Sequence, residues 1–243
     1  MLNNPSALQA QSSPPPAHDP VPAPTAGPAS DLTARLVGCY TGAVYDVLRS
    51  LGLRSQVLPA SLRPLLPERK LAGPVFTVSG RPDANLSAHD SLLHWTAFLS
   101  RAPRGHVVVC QPNDSTLAHM GELSAETLHG RGVRGYIVDG GCRDTDFILR
   151  LGFPVYCRYF TPVDVVGRWK AENFDQPVVI GNTTVGPGDY VLADRDGVVV
   201  IPRDLAAEVV EQTELVMRTE NKVRRAILAG VDPQAAYLQY GKF

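Results

Sequence analysis

Leu32, Leu36, Val37, Tyr40, Val44, Val47 and Leu48 recur at three- and four-residue intervals, the spacing of a single helix face. The pattern predicts helix over 32–51, divided in two where Gly42 interrupts it. Leu71-Ala-Gly-Pro-Val-Phe-Thr-Val-Ser79 instead alternates and is β-branched, which reads as a strand with Pro74 near its beginning. Helix over 89–99, a short buried strand over 106–110, helix over 124–130 and strand over 135–138 follow. Thr145–Leu151 groups its apolar residues on one helical face, and Pro154–Arg158 is a further strand. The character then changes. Gln176–Val185 and Tyr190–Ile201 read as strands, with turn chemistry at Pro187-Gly188-Asp189 and Asp194-Arg195-Asp196-Gly197. Pro202-Arg203-Asp204 opens a long helix over 205–228 that Gly230 ends. Alternating strands and helices followed by hairpins predict one α/β domain over 31–243, a layered sheet-and-helix unit with a β-rich second half and no internal repeat.

Composition changes this picture at one end only. The 243 residues are 44% hydrophobic and 19% charged, enough apolar material for a sizeable core. Residues 1–30 hold eight prolines (Pro5, Pro14, Pro15, Pro16, Pro20, Pro22, Pro24 and Pro28) among Ala and Ser. Such a segment buries too little apolar surface to offset its ordering entropy, so a disordered tail is expected. It has neither the basic start nor the apolar stretch of a secretion signal. No run approaches the roughly 18 apolar residues of a membrane helix. The net charge of -1, without a basic block, argues against nucleic acid or an anionic membrane as partner. Cys39, Cys110, Cys142 and Cys157 form no CxxC pair and read as reduced thiols of a cytoplasmic protein.

The chemistry concentrates in two loops. Gly135-Tyr-Ile-Val-Asp-Gly-Gly-Cys-Arg143-Asp144 is a strand, a glycine turn and a guanidinium beside a carboxylate, placed where a strand ends and a helix begins. In α/β folds that end carries ligand sites. Arginine binds carboxylate or enolate oxygen in fork geometry, and aspartate is a hard ligand for Mg2+. Upstream, Thr116–Ala125 holds Gly121, Glu122, Leu123 and Ser124 at the start of another helix, whose free N–H groups suit a carboxylate. Two neighbouring strand ends, one offering amides and Glu122, the other Arg143 and Asp144, then face one pocket.

At these residues the chain resembles the RraA-like family, which includes the 4-hydroxy-4-methyl-2-oxoglutarate aldolases. Gly121-Glu122-Leu123, Val138-Asp139-Gly140 and Arg143-Asp144 carry the likeness. Asp46, the Leu71-Ala-Gly-Pro-Val segment, Pro187-Gly188-Asp189, Ala193–Pro202 and Tyr240-Gly241-Lys242-Phe243 extend it over about 31–243. The resemblance implies an α/β fold in a ring-shaped trimer, or a hexamer, with sites between subunits. It also implies a class II pyruvate aldolase that uses Mg2+ or Mn2+ and cleaves short 2-oxoacids, with oxaloacetate decarboxylation as a second activity. The family signature is a carboxylate, twenty intervening residues and an Arg-Asp pair, which here are Glu122, Arg143 and Asp144. The resemblance makes Asp144 the metal ligand and Arg143 the enolate-stabilising group. Gly121, Leu123 and Ser124 join Glu122 and Arg143 in holding substrate. The first carboxylate is typically Asp in the aldolases, so Glu122 is a departure that bears on substrate identity. Glu220 is the candidate for a carboxylate contributed across a subunit boundary.

Structural readings stand beside these. Taken by itself, Asp144 also suits a helix cap, Glu122 a complement to the helix dipole, and Arg143 an ion-pair partner of Asp139 or Asp146; Arg143 and Glu122 beside it favour the metal role for Asp144. Glu220 reads as a solvated helix-face charge, and His119 as a packing or surface residue. Lys70, Lys170, Lys222 and Lys242 lie outside the constellation, so a Schiff-base mechanism has no candidate. No strand–GxGxxG–helix is present, which removes dinucleotide chemistry. Because some RraA-like proteins inhibit ribonuclease complexes by contact alone, a non-catalytic regulator of ribonuclease activity is the alternative function.

Overall fold

The Leu71–Pro82 segment forms a strand of 12 residues with which three other strands pair. The computed structural model of the protein describes residues 28–242. Its helices are α1 (Pro28–Val37), α2 (Thr41–Ser50), α3 (Ala88–Arg101), α4 (Glu122–Gly130), α5 (Thr145–Leu151), α6 (Ala206–Leu228) and α7 (Pro233–Tyr240). Its strands are β1 (Arg63–Pro64), β2 (Leu71–Pro82), β3 (Val107–Gln111), β4 (Gly135–Val138), β5 (Gly141–Cys142) and β6 (Val155–Cys157). Then come β7 (Tyr159–Phe160), β8 (Trp169–Phe174), β9 (Val178–Ile180), β10 (Thr183–Val185), β11 (Tyr190–Ala193) and β12 (Val198–Ile201).

The main sheet runs β1-β6-β4-β3-β2-β11-β12, with β8 also on β2. Strands β2, β3, β4 and β6 are mutually parallel, and the β1, β8 and β11 pairings are antiparallel. This is the expected mixed α/β architecture. Alternation along β3 shows how it is held. Val108 and Cys110 pack with Phe98, Leu128 and Ile148 of the helices, while Val107 and Val109 pack with Ile137, Val191 and Val200 on the other face. A third cluster seats α1, α2 and α6 on β11 and β12 through Leu36, Val44, Leu48, Leu192 and Val209. Each fully buried side chain of this size contributes about 1.5–3 kcal/mol. Burial on both faces of the parallel strands therefore dominates the stability.

Several boundaries differ from the sequence expectation. The first helix reaches back to Pro28, and the expected tail otherwise lies outside the described residues, as does Phe243. The break between α1 and α2 falls at 38–40, not at Gly42. Asp194 accepts from the Thr41 N–H at 2.9 Å and from its hydroxyl at 2.7 Å, and so fixes the start of α2 ahead of the glycine. This also gives the Asp194–Gly197 turn a structural role. The 176–185 and 190–201 segments each fold back as a hairpin, β9–β10 and β11–β12. The first hairpin turns at Gly181-Asn182, where Gly181 takes a positive φ of 62°. β8 and α7 were not anticipated, although Asp232 caps α7 ahead of Pro233 in the usual way.

His119 is a core residue. Its ring is fully buried, edge-on to Trp169 at 5.1 Å, and neither ring nitrogen has a hydrogen-bond partner among the described residues. Burial lowers its pKa from 6.5 to about 4, and the Asp114 carboxylate 3.8 Å away opposes this only in part. The unfolded chain takes up the proton that the folded ring refuses. Stability is therefore complete above pH 6.5 and declines as pH falls toward about 4. The loss is about 3 kcal/mol at roughly 1.36 kcal/mol per pH unit. Urea unfolding at about pH 7 and about pH 4.5 should show a smaller decline in His119→Phe than in the wild type; equal declines would place the acid sensitivity elsewhere.

Candidate functional site

The parallel strands β3, β4 and β6 end side by side, and the chain leaving β3 is joined to the chain leaving β4 by main-chain bonds. Ala118 forms a bridge with Gly141. The His119 N–H donates to the Gly141 carbonyl, and the Arg143 N–H to the Met120 carbonyl, both at 2.9 Å. This pairing gives the twenty-residue spacing its physical meaning: Gly121 and Glu122 emerge beside Arg143 and Asp144. Strand β7 lies against β5, and the loop after it adds Asp164.

Asp144 stands at the head of α5 with φ 54° and ψ 36°, a left-handed conformation that Asp and Asn tolerate better than most residues. It makes no side-chain cap to its own helix. Its carboxylate turns instead to the start of α4, where Oδ2 accepts from the Glu122 N–H at 3.2 Å and lies 3.2 Å from Arg143 Nε. The alternative pairing of Arg143 with Asp139 or Asp146 is not formed among the described residues. Arg143 Nη1 meets Asp164 Oδ2 at 3.2 Å, and Asp139 pairs with Arg158. These half-exposed pairs add little stability; what they do is fix the guanidinium between two carboxylates.

Gly121 makes the approach possible. A Cβ there would lie 2.7 Å from Asp144 Oδ2 and 3.1 Å from Arg143 Cγ. Its φ of -151° is ordinary extended backbone, so the requirement is for space. The amide of Glu122, expected to be free, is taken by Asp144. Those of Leu123 and Ser124 have no partner within the chain among the described residues and remain available in the first turn of α4. The Ser124 hydroxyl accepts from Trp95 Nε1 at 2.9 Å, and the Leu123 side chain is 76% exposed.

Gly121, Glu122, Leu123, Ser124, Arg143 and Asp144 all line one cavity of about 490 Å3. Glu220 is not among its lining residues. It lies on α6, accepts from the Tyr40 hydroxyl and pairs with Lys242 at 3.5 Å, in a separate groove with Val223, Arg224 and Ile227. Burial, then Glu220, pushes the Tyr40 pKa up to about 12. Cys142, beside Arg143 in sequence, is buried. Its thiol is pushed far up, first by its hydrogen bond with Cys157 and then by burial, which leaves no thiolate for chemistry. Asp164 and Trp95 are among the lining residues that sequence reasoning missed.

The model of the RraA-like family, described as Aldolase/RraA, matches residues 41–200. The chain belongs to the RraA-like family. The matched segment contains the whole Glu122–Arg143–Asp144 constellation. One relative of this RraA-like chain is a protein of Halalkalibacterium halodurans named "Putative 4-hydroxy-4-methyl-2-oxoglutarate aldolase", 28% identical over 75% of the chain and 83% of its own length. Protein DlpA of Legionella pneumophila is 29% identical over 86% of the chain, which spans only 34% of DlpA. Among solved structures, RraAS2 of Streptomyces coelicolor, titled an unusual member of the RNase ES inhibitor RraA protein family, superposes with a TM-score of 0.72. It is 28% identical, over 83% of this chain and 99% of its own.

If Gly121 is required only for space, Gly121→Ala should cost about 1–3 kcal/mol by overpacking. Most of that cost should vanish in an Asp144→Gly background, because the carboxylate is the nearest obstruction. Urea denaturation of the four proteins measures the coupling. A cost unchanged by Asp144→Gly would show that the glycine serves something other than the Asp144 carboxylate.

Proposed function

We propose that the protein is a divalent-metal-dependent pyruvate aldolase that cleaves the C3–C4 bond of 4-hydroxy-2-oxoacids. The observation that carries the reading is the convergence of Glu122, Arg143 and Asp144 on one cavity beside the free amides of a helix start. The names of the relatives supply 4-hydroxy-4-methyl-2-oxoglutarate as one compound to test. Oxaloacetate is a second, since loss of CO2 gives the same enolate.

The donor set fits a hard, mostly hydrated cation. Asp144 offers carboxylate oxygen and Glu122 lies in the same cavity. Among the described residues no group of three or more His, Cys, Asp or Glu side chains could enclose a metal. Mg2+ or Mn2+, which keeps several waters and takes one or two carboxylates, suits such a site. Bound there, it would supply Lewis-acid stabilisation of the charge that develops on the 2-keto oxygen.

The remaining steps belong to the chain. The Leu123 and Ser124 N–H groups receive the substrate carboxylate at the positive end of α4. Arg143, oriented by Asp144 and Asp164, donates to the oxygen that becomes anionic as the C3–C4 bond breaks. Glu122 positions the water that takes the C4 hydroxyl proton as that carbon becomes a carbonyl, and returns a proton to C3. We extend the proposal to a cytoplasmic ring-shaped trimer or hexamer in which Glu220 serves a neighbouring site. Exposed Leu92 and Leu123 at the cavity mouth support a subunit boundary there. The likeness to a ribonuclease-inhibitor relative supports a second reading, a protein-binding regulator of ribonuclease activity.

The deciding assay follows pyruvate release from 4-hydroxy-4-methyl-2-oxoglutarate, 4-hydroxy-2-oxopentanoate and oxaloacetate, with Mg2+ or with EDTA. Turnover should require the metal and fall at least about a hundredfold in Arg143→Lys, which loses the fork geometry. No release above the metal-only blank from any compound would overturn the aldolase reading in favour of the regulator.

A further inference from the structure

Trp95 of α3 and Ser124 of α4 both line the cavity and meet there: the indole Nε1–H donates to the Ser124 hydroxyl oxygen at 2.9 Å. The direction of this bond follows from chemistry, because an indole nitrogen only donates. Its aim is fixed as well. Trp95 is buried edge-on to Phe98 at 5.2 Å and to Trp169 at 5.8 Å, so the ring cannot turn without breaking both contacts. The Ser124 oxygen is therefore an acceptor, and its own hydrogen is left to donate.

Other helical hydroxyls of the chain return that hydrogen to their own helix. Thr96, Thr127, Thr213 and Thr219 each donate to the carbonyl four residues earlier. Ser124 does not, and the reason lies in the pairing of the two loops. Four residues before it is Met120, whose carbonyl precedes the extended Gly121 and accepts instead from the Arg143 N–H at 2.9 Å. The following carbonyl, that of Gly121, accepts from the Ala125 N–H at 3.0 Å. Among the described residues the Ser124 hydroxyl donates to no group. The bonds that turn it away from its helix all lie within one chain and hold whatever a neighbouring subunit adds to the cavity.

We infer that the Ser124 hydroxyl is a third donor to the substrate carboxylate, beside the free Leu123 and Ser124 amides, and that Trp95 is the residue that positions it. The inference rests on the aldolase reading for the reaction and deepens it by assigning the carboxylate subsite. A carboxylate offers about four acceptor positions, so two amides do not saturate it. If Ser124 served only to satisfy the buried indole, its oxygen would be accounted for and its hydrogen would not. Bonds to a charged oxygen are the stronger ones, and the subsite therefore favours a 2-oxoacid over its ester.

The test uses the full-length protein with Mg2+ and reads pyruvate affinity by calorimetry. Ser124→Ala should weaken pyruvate at least about tenfold, the scale of a hydrogen bond to a charged group, and should leave Mn2+ affinity unchanged. Methyl pyruvate, which lacks the charged oxygen, should lose much less. Trp95→Phe keeps a ring and removes the N–H. It should weaken pyruvate about threefold in the wild type and not at all in the Ser124→Ala background. Equal pyruvate affinity in Ser124→Ala and the wild type would overturn the inference, as would a matching loss of Mn2+ affinity or no pyruvate binding by the wild type. Equal losses from Trp95→Phe in both backgrounds would make Trp95 a packing residue and overturn its positioning role. Turnover of 4-hydroxy-2-oxoacids then separates the two claims. In Ser124→Ala, KM should rise more than kcat falls, since the carboxylate contact is present before and during bond cleavage. Weaker pyruvate binding in Ser124→Ala with no cleavage by the wild type would remove the aldolase reading and leave the carboxylate subsite standing. Cleavage with pyruvate affinity and KM both unchanged in Ser124→Ala would do the reverse.

Discussion

The site depends on the main-chain pairing of the two loops that leave β3 and β4. Ala118 with Gly141, His119 with Gly141 and Met120 with Arg143 form a short parallel ladder beyond the ends of the parallel strands. Much of it is buried: His119 and Met120 are nearly inaccessible, as is Cys142 on the opposite chain. Buried amides and carbonyls need partners, so the two loops cannot slide past one another without leaving several unsatisfied. The ladder thus fixes which residues come next. Glu122 opens α4 at the same level at which Arg143 and Asp144 leave the glycine turn.

From that register the finer geometry follows. Asp144 in the left-handed region turns its carboxylate away from α5 and toward α4, and Gly121 leaves the space for it. The left-handed backbone, which Asp tolerates better than most residues, is what aims this carboxylate across at α4. Asp164 completes the arrangement by holding Arg143 from the far side. The outcome is a small polar corner in a cavity whose other lining is largely apolar.

Much of this was legible in the chain because it is local. The β-branched run at 71–79, the strand at 135–138 and the helix at 145–151 follow from periodicity, and β4 and α5 carry the expected bounds. The glycine turn and the paired Arg143-Asp144 pointed to a candidate site within ten residues of sequence, and both residues line the cavity. Non-local contacts were less visible. Asp164 lies in an aperiodic loop and reaches Arg143 only through the pairing of β7 with β5. Trp95 reads as one more apolar position on α3 until Ser124 is placed opposite its indole. The start of α2 was misplaced because its cap comes from Asp194, 153 residues away. The need for space at Gly121 depends on a neighbour 23 positions later in the numbering, a closeness that only the folded chain creates.

The central claim is that Asp144, held against the start of α4, is the residue that engages a divalent cation. Electron paramagnetic resonance of Mn2+ titrated into the wild type and Asp144→Asn tests it without reference to turnover, and asparagine keeps the left-handed backbone. The account predicts one bound Mn2+ per chain, with affinity at least about tenfold weaker in the variant, the scale of a lost carboxylate ligand. Equal Mn2+ affinity in both proteins would contradict it.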